Sequence, residues 1–380
     1  MAEYAFVFVL AAFLTWAATP AVRRLAVRIG AVVAPGERRV HTRPTPTCGG
    51  AAMLVAFLVA MGAASRLPRF RAVFAGSSEP YGVMLAAVVI FAVGFLDDIR
   101  EVSAPAKLAG EAFAASLLYL LGVTLFYFRV PFAGIIVLSP GLGPLVTVLW
   151  VAVMANAVNL MDGLDGLAAG VGAIAAGSFF LYATRLSDLG LLAPESVAPL
   201  VTAIACGMCV GFLPHNFHPA KVFMGDSGSL LLGLLLAVST MAVGGRTADQ
   251  FSGQTYFFFA PLFIGFVILG VPLVDAAFAI VRRARRRVSV YQPDKEHLHH
   301  RLLQLGHGHR RAVVILWAWT AVLSAVVLVP TYTGKGNAAV LPLMAGLGVV
   351  LYTLFHPDVR RGAQLTAVPG GNQRRPRGAA

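Results

Sequence analysis

Eleven long apolar runs constrain this chain more than any other feature of its sequence. They fall at approximately 3–22, 49–65, 81–96, 107–128, 144–160, 166–184, 197–214, 228–245, 256–281, 312–330 and 337–355. The hydrocarbon core of a bilayer is about 30 Å thick and is crossed by about 20 helical residues, so each run is a candidate span. A composition that is 58% hydrophobic and only 12% charged, with mean hydropathy +0.77, excludes a soluble domain. The first run is preceded by Glu3 and has no basic leader, which reads as a retained span and not a cleaved signal peptide. There is no tandem repeat and no soluble insert. The expectation is one all-α polytopic integral membrane domain over residues 1–356, with about eleven transmembrane helices. Residues 357–380, rich in Gly, Pro and Arg, are expected to form a disordered basic tail near the lipid headgroups.

Lysine and arginine set the orientation. With the N-terminus outside, eleven spans leave the C-terminus in the cytoplasm, and 23 of the 30 basic residues lie on the inner side. The seven left outside are Arg66, Arg69, Arg71, Arg129, Arg185, Arg246 and Lys335. This asymmetry accounts for the net charge of +13 through membrane insertion and anionic lipid, so nucleic acid is not an expected partner. Three cysteines are too few for a disulfide framework, and Cys206 and Cys209 sit inside an apolar run without a thioredoxin-like context.

The organised polar residues then fall on the inner face. In "NAVNLMDGLDGLAAG" the residues Asn156, Asn159, Asp162 and Asp165 recur every third position. On a continuous helix Asn156 and Asp165 would point to opposite sides, so one shared site requires the helix to break between them. Gly163 and Gly166 suit such a bend, and a helix N-terminus there would offer N–H groups to an anion. "VFMGDSGSLLLG" sets a single carboxylate, Asp226, among small residues just before a span. Asp226 fits either one oxygen ligand of Mg²⁺ or, with Ser227, an ordinary N-cap.

"FLDDIREVSAPAKLAGE" puts Asp97 and Asp98 at a helix end, followed by Lys107. Adjacent carboxylates at a bilayer are costly unless metal, phosphate or water relieves them. The loop after the ninth run carries His297, His299, His300 and Arg301. Dense Arg and Lys and the lack of nearby Cys favour phosphate binding over zinc there, with an amphipathic surface helix as the alternative. "HTRPTPTCGG" is weaker alone, since a stiff linker explains it equally well.

In this order the motifs H-x-x-P-x-P-x-x-G-G, D-D with a following Lys, N-A-x-N-x-x-D-G-x-D-G-L, F-M-G-D-x-G-S and H-L-H-H resemble the polyprenyl-phosphate N-acetylhexosamine-1-phosphate transferases. The resemblance extends from the first run to the tenth. It implies a cell-membrane enzyme whose active site faces the cytoplasm. A polyprenyl phosphate attacks the β-phosphorus of a UDP-sugar with Mg²⁺, or Mn²⁺ in its place, and releases UMP. The spaced "HLHH" is similar to the N-acetylglucosamine-1-phosphate branch; the phospho-MurNAc-pentapeptide branch typically has three consecutive histidines.

By matching position, the resemblance makes Asp226 a metal ligand supported by Asn159 and Asp162. It places Phe223 on uracil, with Asn216 and Asp165 near the nucleoside. Asp97 or Asp98 would handle the lipid phosphate, while Lys107, His297, His299 and His300 would bind phosphates or sugar. Asn156 and Arg301 are counted with the substrate-binding residues; His41 and Arg43 are weaker candidates, and Asp275 and Arg282 form a second tier. The family often has Gln where this chain has Glu111. A homodimer is one open arrangement. A transporter is the rival of a different class, but transporters concentrate ionisable residues near the bilayer midplane. An inert scaffold is opposed by the intact aspartates.

Overall fold

The computed structural model describes residues 1–34, 44–125, 127–130, 134–139, 141–244, 269–286, 301–303 and 305–355. His41, Arg43, His297, His299, His300 and the expected tail lie outside the described residues.

Helix α1 covers Ala2–Arg28, and a two-residue ribbon joins β1 (Val32–Val33) to β2 (Thr45–Pro46). Helices α2 (Gly50–Ala64) and α3 (Arg71–Gly76) follow, then α4 (Glu79–Ile99) and α5 (Ala104–Leu120). Strands β3 (Tyr127–Val130) and β4 (Gly134–Val137) pair antiparallel. Next come α6 (Leu142–Met161), α7 (Leu167–Asp188), α8 (Ala198–Asn216) and α9 (Gly225–Gly244). The described chain ends with α10 (Gly270–Arg286), α11 (His309–Thr333) and α12 (Val340–Phe355).

Among the described residues eight helices are long and apolar enough to cross a membrane, or nine if the bent α2 and Pro68–Gly76 pair is one span. The protein is thus an all-α multi-pass membrane protein, apart from the two ribbons. The expected run 107–128 is shorter than the sequence suggested. Its helix stops at Leu120, Gly122 takes a left-handed φ of 95°, and the chain then enters the β3–β4 ribbon. Of the expected run 256–281, the described part is the start of α10.

Helix α9 is the axis of the bundle: 94% of its most apolar stretch is buried, against 22% for α1. It packs against α4, α6, α8 and α2. In contrast α1 turns Phe6, Val9, Phe13 and Trp16 outward, as a lipid-facing helix does. Its other face meets α8 closely. A Cβ on Gly207 or Gly211 would run into the backbone carbonyls of Phe8 and Ala12. Small residues four apart allow such close approach where lipid offers no hydrophobic drive to associate.

Candidate active site

The C-terminal ends of α4, α6 and α8 and the N-terminal ends of α5, α7, α9 and α11 meet at one end of the bundle. Their join rests on α2. A Cβ on Gly50 would collide with the backbone of Ser227 and Gly228, and one on Gly94 with that of Asp226. The segment before α2 pairs with the loop before α9: Phe223 N–H donates to Pro46 O at 2.8 Å, and Gly49 and Gly50 N–H donate to Phe223 and Met224 carbonyls at 3.0 Å. So "PTCGG", which read equally well as a linker, is a docking strand for the Asp226 loop.

Asp98 caps α9 from a different helix. Its Oδ1 accepts from Asp226 N–H at 2.9 Å and from Thr47 Oγ1 at 3.2 Å, and its Oδ2 accepts from Ser227 N–H at 3.1 Å. A carboxylate at a helix N-terminus satisfies unpaired N–H groups and meets the positive end of the helix dipole. The N-cap expected of Asp226 or Ser227 is therefore supplied by α4. That frees the Asp226 side chain, which is 28% exposed. Cys48, buried beside Asp98, has its thiol pushed up to about 12 by burial first and then by that carboxylate. It is no thiolate nucleophile.

Two side chains converge on Asp226. Its Oδ2 takes the Lys107 ammonium and the Asn159 Nδ2–H, the latter at 3.2 Å. Lys107 also donates to Asp97 Oδ2 at 3.0 Å, while Asp97 Oδ1 accepts from Val102 N–H at 2.9 Å. Asn159 Oδ1 accepts from Ser229 Oγ at 2.9 Å. The two adjacent aspartates consequently differ: Asp98 is committed to backbone, whereas Asp97 aims Lys107.

The break expected in "NLMDGLDG" is present. Helix α6 ends at Met161, Gly166 takes a φ of 78°, and α7 begins at Leu167. The N–H groups leading into α7 are taken by protein side chains. Gly166 N–H donates to Asn216 Oδ1 at 3.0 Å, and Asp165 N–H donates to His309 Nε2 at 3.2 Å. Asn216, buried, also donates to Val222 O at 3.0 Å, so it ties two loops together with both ends of its amide.

Asp165 is drawn away from Asp226 into a second cluster. Its Oδ2 pairs with His218 Nδ1 at 2.7 Å and accepts from Ala220 N–H at 3.0 Å. The rings of His218 and His309 stack with centroids 4.2 Å apart. Sequence spacing gave no pointer to His218 or His309, which lie 53 and 144 positions from Asp165.

The Asp162 backbone N–H closes the end of α6, while its carboxylate makes no hydrogen bond to any described residue. Desolvation, then the charges of Asp226, Asp98 and Asp165, push its carboxyl well above the usual range. Mutually repelling oxygen donors with one uncompensated carboxylate are what a hard divalent cation relieves, so the residues fit Mg²⁺. Asn156 lies lower, facing Glu111 and not Asp226. Phe223 is half-buried beside the docking strand, and Arg301 is exposed.

Fold and site together define a multi-pass membrane protein with a cluster of carboxylates around Lys107 at the shared end of its helices. Residues 80–244 match the model for glycosyl transferase family 4. The chain is 41% identical over 368 residues, 95% of its length and 90% of the relative's, to decaprenyl-phosphate N-acetylglucosaminephosphotransferase of Mycobacterium tuberculosis. It is 33% identical over 312 residues to a probable undecaprenyl-phosphate N-acetylglucosaminyl 1-phosphate transferase of Bacillus subtilis, covering 82% of this chain and 80% of that one. It is also 34% identical over 313 residues to phospho-N-acetylmuramoyl-pentapeptide-transferase of Desulforudis audaxviator, covering 76% and 85%. The chain belongs to the polyprenyl-phosphate N-acetylhexosamine-1-phosphate transferase family.

Proposed function

We propose that the protein transfers N-acetylglucosamine-1-phosphate from UDP-N-acetylglucosamine to a polyprenyl phosphate. The products are polyprenyl-diphosphate-N-acetylglucosamine and UMP, and the step starts a cell-envelope polysaccharide. An oxygen of the lipid phosphate forms a bond to the β-phosphorus, and the bond from that phosphorus to the bridging oxygen breaks to release UMP. Supporting this donor over the pentapeptide one is the 41% identity over nearly the whole chain to a protein named for N-acetylglucosamine transfer. We place the site at the cytoplasmic face of the plasma membrane, with the N-terminus outside and eleven spans, on the distribution of Lys and Arg.

The observation that carries the chemistry is the convergence of Lys107 and Asn159 on Asp226, with Asp97 holding Lys107 from the other side. A lysine held between two carboxylates is a positioned cation for a phosphate. Asp97 is the aspartate suited to orient the lipid phosphate, since both Asp98 oxygens already accept backbone N–H groups. Asp226, Asp162 and Asn159 would hold Mg²⁺, which when bound supplies charge neutralisation on the diphosphate. The test is purified protein with polyprenyl phosphate, Mg²⁺ and a panel of UDP-sugars, reading UMP and lipid product. Preference for UDP-MurNAc-pentapeptide over UDP-N-acetylglucosamine would move the protein to the other branch.

A further inference from the structure

Helices α5 and α6 contribute two tiers of polar residues. In the upper tier Lys107 and Asn159 reach the same oxygen of Asp226. One turn further along each helix, Glu111 and Asn156 meet one another: Glu111 Oε2 accepts from Asn156 Nδ2 at 2.6 Å. The same amide nitrogen donates to Ala152 O at 2.9 Å, which fixes the Asn156 rotamer. Glu111 is fully buried, and its Oε1 meets no hydrogen-bond partner among the described residues.

We propose that Glu111 is a positioning residue: a neutral carboxylic acid that grips Asn156 and so holds α5 and α6 at the spacing from which Lys107 and Asn159 both reach Asp226. The charge argument follows from the surroundings. The nearest cation on the same helix, Lys107, is already committed to Asp97 and Asp226, and Asp226 adds negative charge on that side. An ionised oxygen buried without a partner costs far more than a buried hydroxyl in the same place. With the proton on Oε1, Oε2 remains the carbonyl acceptor for Asn156. The geometry is that of a carboxamide, with one hydrogen fewer. Removing the grip lets the two helices settle independently, and the upper tier loses its common target.

The effect on turnover rests on the proposed transferase reading; the protonation does not. In the infrared difference spectrum of wild type minus Glu111→Gln at neutral pH, the expected feature is the C=O band of a protonated carboxylic acid, above the amide I region. Carboxylate stretches in its place would overturn the assignment. In the UMP-release assay Glu111→Gln should stay within a few-fold of wild type. Glu111→Ala should lose kcat on the order of 10- to 100-fold, the scale of a small misplacement of catalytic groups, with KM for UDP-N-acetylglucosamine little changed. Asn156→Ala should reproduce that loss, and the double variant should be no worse than either single one. Additive losses, or a Glu111→Gln enzyme as slow as Glu111→Ala, would refute the grip. A wild type inactive with every UDP-sugar would count against the transferase reading alone, and the infrared band would still decide the state of Glu111.

Discussion

Asp97 and Asp98 are chemically identical neighbours, yet the structure assigns them separate failures. In Asp98→Asn the amide can still accept at one position, but its NH₂ must face either Asp226 N–H or Ser227 N–H, donor against donor. Losing a hydrogen bond to a charged acceptor costs about 1.5–3 kcal/mol. Removing the negative charge from the N-terminus of α9 adds about 0.3–1 kcal/mol. The expected destabilisation is therefore about 2–4 kcal/mol, centred on the most buried helix of the bundle. Asp97→Asn keeps an acceptor for Val102 N–H and leaves Lys107 bound to Asp226, so its stability cost should stay below about 1 kcal/mol. It loses the charge that aims Lys107, and turnover should fall about 10- to 100-fold. Thermal melting of the purified variants in one detergent, followed by size-exclusion chromatography, reads the first quantity; UMP release at a temperature where both are folded reads the second. Melting of Asp98→Asn at the wild-type temperature, or destabilisation of Asp97→Asn by the larger amount, would refute the capping assignment.

Transfer should require a divalent cation, and Asp226→Asn should abolish it in a folded protein, because a carboxamide lacks the charge a hard cation demands; undiminished turnover in EDTA would sink this. Gly50→Ala sets a Cβ into the backbone of Ser227 and Gly228, so it should lower stability by about 1–3 kcal/mol and depress activity, whereas native melting would mean the α2–α9 contact yields freely. Asp162, with its carboxyl raised in the folded protein, binds its proton more tightly there than in the unfolded chain. Its contribution to stability without metal is thus fully present below the ordinary carboxylate range and is lost as pH rises through the raised value. Asp162→Asn should remove that loss from a melting-versus-pH series in EDTA, and an unchanged series would contradict the assigned environment.

Much of this protein is written locally. Length and continuity of the apolar runs determined an all-helical membrane domain, because a bilayer leaves the backbone no other partner than itself. Gly163 and Gly166 marked a helix break that the structure contains, but the premise of one site shared by Asn156 and Asp165 did not hold, since Asn156 meets Glu111 and Asp165 meets His218. The meeting of Asp226, Lys107 and Asn159 was legible only as motifs gathered on one face, and the partners within that face were not. Nothing local distinguishes Asp97 from Asp98, or names Asp98 as the cap of a helix 128 positions away. His218, His309 and the Glu111–Asn156 pair were likewise decided by which helix ends meet. A side chain's neighbours along its own helix are fixed by 3.6-residue periodicity, but those across the bundle depend on how closely backbones approach. Here glycines at positions 50 and 94 permit that approach, and only the packed structure shows what it brings together.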